Sequence, residues 1–245
     1  MDTLIATPLA YGNELARLLE TAEANARLTI SRYPRPVRRF DDAMELFSEG
    51  VTLYADKRLR HAPDDPRFLR HDRSLKFFNA ARGSVLSGAI LTFQHRLFDA
   101  SKPLRGALES SLAAVHVHGD VEAWVRWCNR PSAEECRGGG DAVARLRKET
   151  GAEFTMYRMA ADLRPWSTSL TDVALELYDE LNDLGAHFNF TATRLIETDI
   201  DARELTRALG RLNKTAAVCL RIFDLLFAGF YLDAKLSQRI RAFAG

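Results

Sequence analysis

The sequence predicts an all-α protein, a multi-helix bundle folded as a single domain over residues 1–245. Three observations predict it. Apolar residues recur at spacings of three and four along most of the chain, which is the period of one helix face. No stretch of useful length alternates apolar and polar residues as a half-buried strand does. The 245 residues are 47% hydrophobic and 27% charged, without an internal repeat, so one sizeable core can form and disorder is not the default.

The first helix is expected from Tyr11 to Arg27, with Leu15, Leu18, Leu19 and Ala22 at helical spacing. Ser31 to Arg39 carries Pro34 and Pro36 one residue apart. Proline lacks an N–H and restricts the residue before it, so this stretch reads as an extended connector. Its arginines read as a solvated loop in preference to an anion site. Asp41 or Asp42 is then placed to cap a helix with the core stripe Phe40, Met44, Phe47, Val51 and Tyr54. Lys57 to Arg73 is polar, contains Pro63 and Pro66, and reads as a long loop.

From Ser74 to Phe98 the helical pattern resumes, marked by Leu75, Phe78, Val85, Ala89, Phe93 and Leu97. Gly83 and Gly88 lie inside it. Each costs about 1 kcal/mol against alanine, which close helix packing would offset. Ser101 is placed to cap the next helix, with Pro103 in its first turn. In that helix, residues 101–118, Leu104, Leu108, Leu112 and Val115 form the apolar stripe. Arg105, Glu109 and His116 line its edge at i, i+4 and i+11.

Asp120 to Asn129 predicts a short helix with Trp124, Val125 and Trp127. Residues 130–166 read as an excursion with a flexible hinge at Gly138-Gly139-Gly140, a short helix from Asp141 to Thr150 and an ambiguous stretch up to Pro165. The glycine run is not a phosphate loop, because no strand precedes it and no Gly-Lys-Ser/Thr follows. Thr168 to Phe188 is the clearest helix, with Leu170, Val173, Leu177, Leu181, Leu184 and Phe188 on one side and Ser169 or Thr171 at its start. The other side is acidic (Asp172, Glu176, Asp179, Glu180, Asp183), ends at His187 and reads as solvated. Asp201 caps a last long helix with the stripe Leu205, Leu209, Leu212, Ala216, Cys219, Phe223, Leu226 and Phe230. A short tail helix follows.

The most apolar segment, Ala216 to Leu232, is interrupted by Arg221 and Asp224, an expected i, i+3 ion pair. It falls short of the roughly 20 residues of a membrane span, so it reads as the buried central helix of a soluble bundle. A net charge of +1 gives no global drive toward nucleic acid or an anionic membrane, and neither is expected as a partner. Three cysteines without CxxC spacing argue against a disulfide scaffold and for a reducing compartment. Met1 to Ala10 lacks the basic start and long apolar run of a signal peptide. Together these predict a cytoplasmic protein.

The candidate chemistry is sparse. His116-Val117-His118 on a helix points its rings about 200° apart, and neither HExxH nor the Glu-x-x-His pair of di-iron bundles occurs. His71-Asp72 is expected in a loop. No metal and no cofactor is therefore predicted, and His116 and His187 read as hydrogen-bonding histidines at helix ends. No GxSxG elbow occurs, and Cys219 reads as a small buried hydrophobe. Trp124, Arg126, Trp127 and Arg130 suit the stacking of a planar ligand, although core packing with surface arginines explains them equally well.

Two segments resemble a known group of families. Leu104-Arg105-Gly106-Ala107-Leu108-Glu109 resembles the hydrophobic-Arg-Pro-x-hydrophobic-Glu signature that opens a helix in uncharacterised bacterial all-helical domain families, some of them near the HEPN superfamily. Tyr178 to His187 resembles their Tyr-x-x-Leu-x-x-x-x-His pattern, with one extra residue before the histidine. Gly106 stands where the signature has proline. The resemblance spans about residues 75 to 195 and implies an all-helical fold without assigning a reaction. HEPN ribonucleases use Arg-x(4–6)-His; here the nearest approach is Arg67 to His71, with only three intervening residues.

The leading functional expectation is a non-catalytic binding or interaction module. Its polar cluster would lie between helices 101–118 and 169–190: Arg105, Glu109 and His116 facing Tyr178, Asp183 and His187. Arg105 would supply a fork for a small polar or anionic ligand. The alternative is a metal-assisted or acid-base hydrolase of phosphoesters, RNase-like, using His116, His187, Glu109 and Asp183. The two long apolar stripes also admit pairing between copies of the chain as a homodimer.

Overall fold

The computed structural model describes residues 13–185, 201–231 and 234–244. Every regular element among them is an α-helix: α1 (Asn13–Arg32), α2 (Pro34–Arg58), α3 (Pro66–Phe93), α4 (Leu97–Gly119), α5 (Val121–Cys128), α6 (Ala133–Gly138), α7 (Gly140–Glu153), α8 (Met156–Leu163), α9 (Thr168–Gly185), α10 (Ala202–Tyr231) and α11 (Ala234–Ala244). The all-α bundle is as the periodicity predicts. None of these helices is long and apolar enough to cross a membrane.

α4 is the hub. It packs along α3 and also against α8, α9 and α10, while α10 lies against α2 and α3. One apolar cluster runs from Phe40 in α2 to Ile240 in α11. The largest side chains within it, including Phe47, Phe78, Phe223 and Phe227, are fully buried, each contributing about 2–3 kcal/mol of burial. Phe78 and Phe223 stack at a centroid distance of 3.7 Å. The apolar stripe of α10 is buried within this single chain, with only Phe230 partly exposed. That of α9 is buried at Leu177, Leu181 and Leu184, with Leu170 and Val173 half-buried.

Several boundaries differ from the sequence reading, each for a local reason. The proposed extended connector at Ser31–Arg39 is helix on both sides of Tyr33. Pro34 occupies the first turn of α2, where its missing N–H would have had no intrahelical partner. Neither Asp41 nor Asp42 caps that helix, whose N-cap is Tyr33. The long loop at Lys57–Arg73 shrinks because Asp65 caps α3, accepting from the Arg67 N–H at 3.0 Å, with Pro66 following it. His71 is thus a buried helical residue, not a loop residue.

The α3–α4 break falls at Gln94–Arg96, with His95 at φ 64°. Ser101 therefore lies inside α4, its hydroxyl bonded back to the Phe98 carbonyl at 2.7 Å, and Pro103 is interior to the helix. Ser167, not Ser169 or Thr171, accepts from the Leu170 N–H at the start of α9. Asp201 does cap α10, accepting from Glu204 at 2.8 Å.

The excursion is shorter than 130–166. α8 buries Met156, Met159, Ala160 and Leu163 in the main core, whereas α6 has no buried residue and α7 buries only Thr150. Within the glycine run, α6 ends at Gly138 and α7 begins at Gly140, whose φ is +70°. Asp224 does not make its expected bond to Arg221. Almost fully buried, it accepts from Ser237 at 2.5 Å and from Arg241 at 3.1 Å, tying α11 to α10.

Candidate functional site

α4 presents polar groups to two neighbours, and its sequence explains how. Its apolar residues Leu104, Ala107, Leu108 and Leu112 turn inward, which leaves Arg105 and Glu109 half-buried one turn apart at the seam with α9. Arg105 Nε lies 3.5 Å from Glu109 Oε1. Arg105 Nη1 donates to Asn182 Oδ1 at 3.1 Å, and the Tyr178 hydroxyl donates to Glu109 Oε1 at 3.0 Å. Burial first, and then the Glu109 charge, raises the Tyr178 phenol above its ordinary range. The expected Arg105–Glu109–Tyr178 association is therefore present. Asn182 completes it, and the signal for it was in the sequence: it follows Tyr178 by four residues and shares its helix face.

Two further predicted members, Asp183 and His116, sit elsewhere. Asp183 lies on the exposed side of α9. His187 falls outside the described residues. His116, in the last turn of α4, faces away from α9 toward α7 and α8. Its Nδ1 is 2.6 Å from Asp162 and its Nε2 is 3.2 Å from Glu153. Ionised carboxylates only accept, so the ring bridges both when each nitrogen carries a proton.

Glu153 is also gripped by Arg126, whose Nε and Nη2 donate at 2.8 and 2.6 Å, and Arg126 Nη2 reaches Asp120 at 3.0 Å. Hydrogen bonding from Arg126 holds the Glu153 carboxyl below the usual carboxylate range. This network fastens α5, α7 and α8 to the end of α4. It joins residues far apart in sequence that carry no motif, so sequence reading missed it.

His118 points to a third environment. Its ring meets that of His71 at 4.6 Å, its Nδ1 is 3.2 Å from the Ser74 hydroxyl, and both imidazoles are buried. Burial lowers both, His118 to about 4, with His71 adding to the effect. The two histidines of the His-x-His pair thus serve separate networks. Among the described residues no group of three His, Cys, Asp or Glu side chains could hold a metal ion.

Between α3, α4, α5 and α8 lies a groove of about 480 Å³. Small residues on two adjacent helices, Ala80, Ser110 and Ala113, leave its floor open. Its walls are aromatic: Phe77 lies 5.2 Å from Trp127 and 6.1 Å from Trp124, and Trp127 lies 4.7 Å from Phe154. Glu109 of the α4–α9 seam borders it, and so do two cations. Lys76 Nζ sits 5.0 Å from the centre of the Trp124 ring and the Arg130 guanidinium 5.7 Å from that of Trp127. The tryptophans and Arg130 are the residues whose spacing suggested a stacking platform. Arg126 instead belongs to the Glu153 network. Lys76 and Phe154 were not foreseen, because the contacts that bring them to α5 are long-range.

Compared with known protein families, with curated proteins and with solved structures, the chain matches none.

Proposed function

We propose that the chain is a non-catalytic binding module for a small polar or anionic ligand, seated in the groove between α3, α4, α5 and α8. The groove itself carries this reading. Its volume of about 480 Å³ falls in the range of roughly 300–1,000 Å³ typical of small-molecule sites, which combine apolar walls with a few placed polar groups. Glu109 belongs both to the groove and to the α4–α9 network, so a ligand there touches the polar cluster. The two segments that resemble the HEPN-neighbouring families meet in that network, which supports carrying the resemblance to this chain.

The hydrolase reading draws less support. Glu109 faces Tyr178, whereas His116 has both nitrogens engaged by Glu153 and Asp162. The test is a ligand-observed NMR screen of a general fragment library against the wild-type chain and Trp127→Leu. Fragments that bind the first and lose their signal with the folded second are expected. A library that yields no Trp127-dependent binder rules the groove out as the site.

A further inference from the structure

We infer that the groove takes a planar aromatic anion, its ring stacked among Trp124, Trp127 and Phe77 and its negative group placed between Lys76 and Arg130. This rests on the reading of the groove as a binding site and names the ligand class it selects.

Shape comes first. Four aromatic side chains border one cavity whose floor is alanine and serine. Aromatic rings meet one another in offset or edge-on contact, which favours a flat, polarisable guest over a bulky aliphatic one. Trp124, Trp127 and Phe154 are each only partly buried, so they keep surface to offer a guest. The tilted and edge-on arrangement of Phe77, Trp127 and Phe154 holds the cavity open, since none of these pairs is stacked face to face.

Charge comes second, and the observation is independent. Ten arginines elsewhere among the described residues, including Arg58, Arg96, Arg126 and Arg211, are paired with carboxylates. Lys76 and Arg130 have no carboxylate partner among the described residues; the contact each makes with the groove wall is with an indole face. Two unneutralised cations held at the rim of an apolar cavity create a positive field that a ligand anion completes. Glu109 does not cancel it. Its carboxylate is already engaged by the Tyr178 hydroxyl and lies 3.5 Å from Arg105.

The experiment uses three defined probes and isothermal titration calorimetry on the full chain. Naphthalene-2-carboxylate combines flatness and charge, naphthalene-2-methylammonium reverses the charge, and cyclohexanecarboxylate removes the flatness. The carboxylate of naphthalene is expected to bind at least tenfold more tightly than either of the others. It should lose about tenfold in the double variant Lys76→Gln/Arg130→Gln, in which both positions are peripheral to the core, and be lost in Trp127→Leu. Equal binding of the ammonium probe, or an affinity unchanged in the double variant, overturns the anion assignment while leaving the groove a binding site. Equal binding of cyclohexanecarboxylate overturns the aromatic assignment in the same way. Failure of all three probes overturns the ligand class, and the fragment screen then decides whether the groove binds anything at all.

Discussion

The phenol of Tyr178 on α9 donates a hydrogen bond to the carboxylate of Glu109 on α4 across 3.0 Å, joining residues 69 positions apart. The bond lies at a half-buried seam, where a charge-assisted hydrogen bond contributes about 1–2 kcal/mol. Tyr178→Phe keeps the ring and removes only the donor. It should lower stability by about 1 kcal/mol, seen in urea unfolding as a lower midpoint at unchanged slope. No change in midpoint would show that Arg105 alone satisfies Glu109.

Two glycines of α3 predict opposite outcomes for one substitution. A Cβ at Gly88 would stand 2.5 Å from Leu104 Cδ2, whereas one at Gly83 would meet nothing within 4 Å. Gly88→Ala forces α3 and α4 apart or Leu104 off its rotamer, and should destabilise by about 1–3 kcal/mol. Gly83→Ala should stabilise by about 0.5–1 kcal/mol through the better helix propensity of alanine. Thermal unfolding of the two variants beside the parent checks both signs; two shifts in the same direction contradict the packing described.

The buried His71–His118 pair makes the fold acid-sensitive before its carboxylates titrate. Both imidazoles are lowered in the folded state, His118 to about 4, against about 6.5 in an unfolded chain. Above pH 6.5 both states hold neutral rings and nothing is lost. As pH falls from 6.5 toward 4 the unfolded chain binds the protons that the fold excludes, so stability drops, by about 3 kcal/mol for His118 at the lower limit. Urea midpoints at pH 7 and pH 5 should differ, and His118→Gln should flatten that dependence. An equally steep dependence in the variant would assign the loss to other groups.

Glu153 is the shared acceptor of Arg126 and His116, with its side chain nearly buried. Glu153→Ala removes the acceptor that Arg126 and His116 share and should cost about 1.5–3 kcal/mol. Because the network ties α5 and α7 to α4, amide exchange should rise in α5 and α7 and stay unchanged in α2 and α10. Uniform exchange throughout would show that the network is not local in its effect. The depressed Glu153 carboxyl adds a second acid-labile contribution, present above the ordinary carboxylate range and lost as pH falls through its folded value.

What local information could settle, the sequence by itself determined. Helical periodicity identified the bundle, the faces of α9 and α10 and the burial of Cys219, whose thiol burial pushes up to about 12. The four-residue spacing of Arg105 and Glu109 placed those two together, because side chains three and four apart share a helix surface whatever the rest of the fold does; the meeting with Tyr178 of α9 depends on how the two helices pack. Only the tertiary structure decided where the remaining polar groups went. His116 and His118 differ by two positions, so the helix sends them to different neighbours, and which neighbours depends on how α7, α8 and α3 pack. The groove is likewise a product of packing: the residues that α3, α4 and α8 bring to Trp124 and Trp127 of α5 read in sequence as ordinary core or surface. Local spacing constrains one helix at a time, whereas a cavity exists only between helices, where side chains from distant segments fail to fill the space between them.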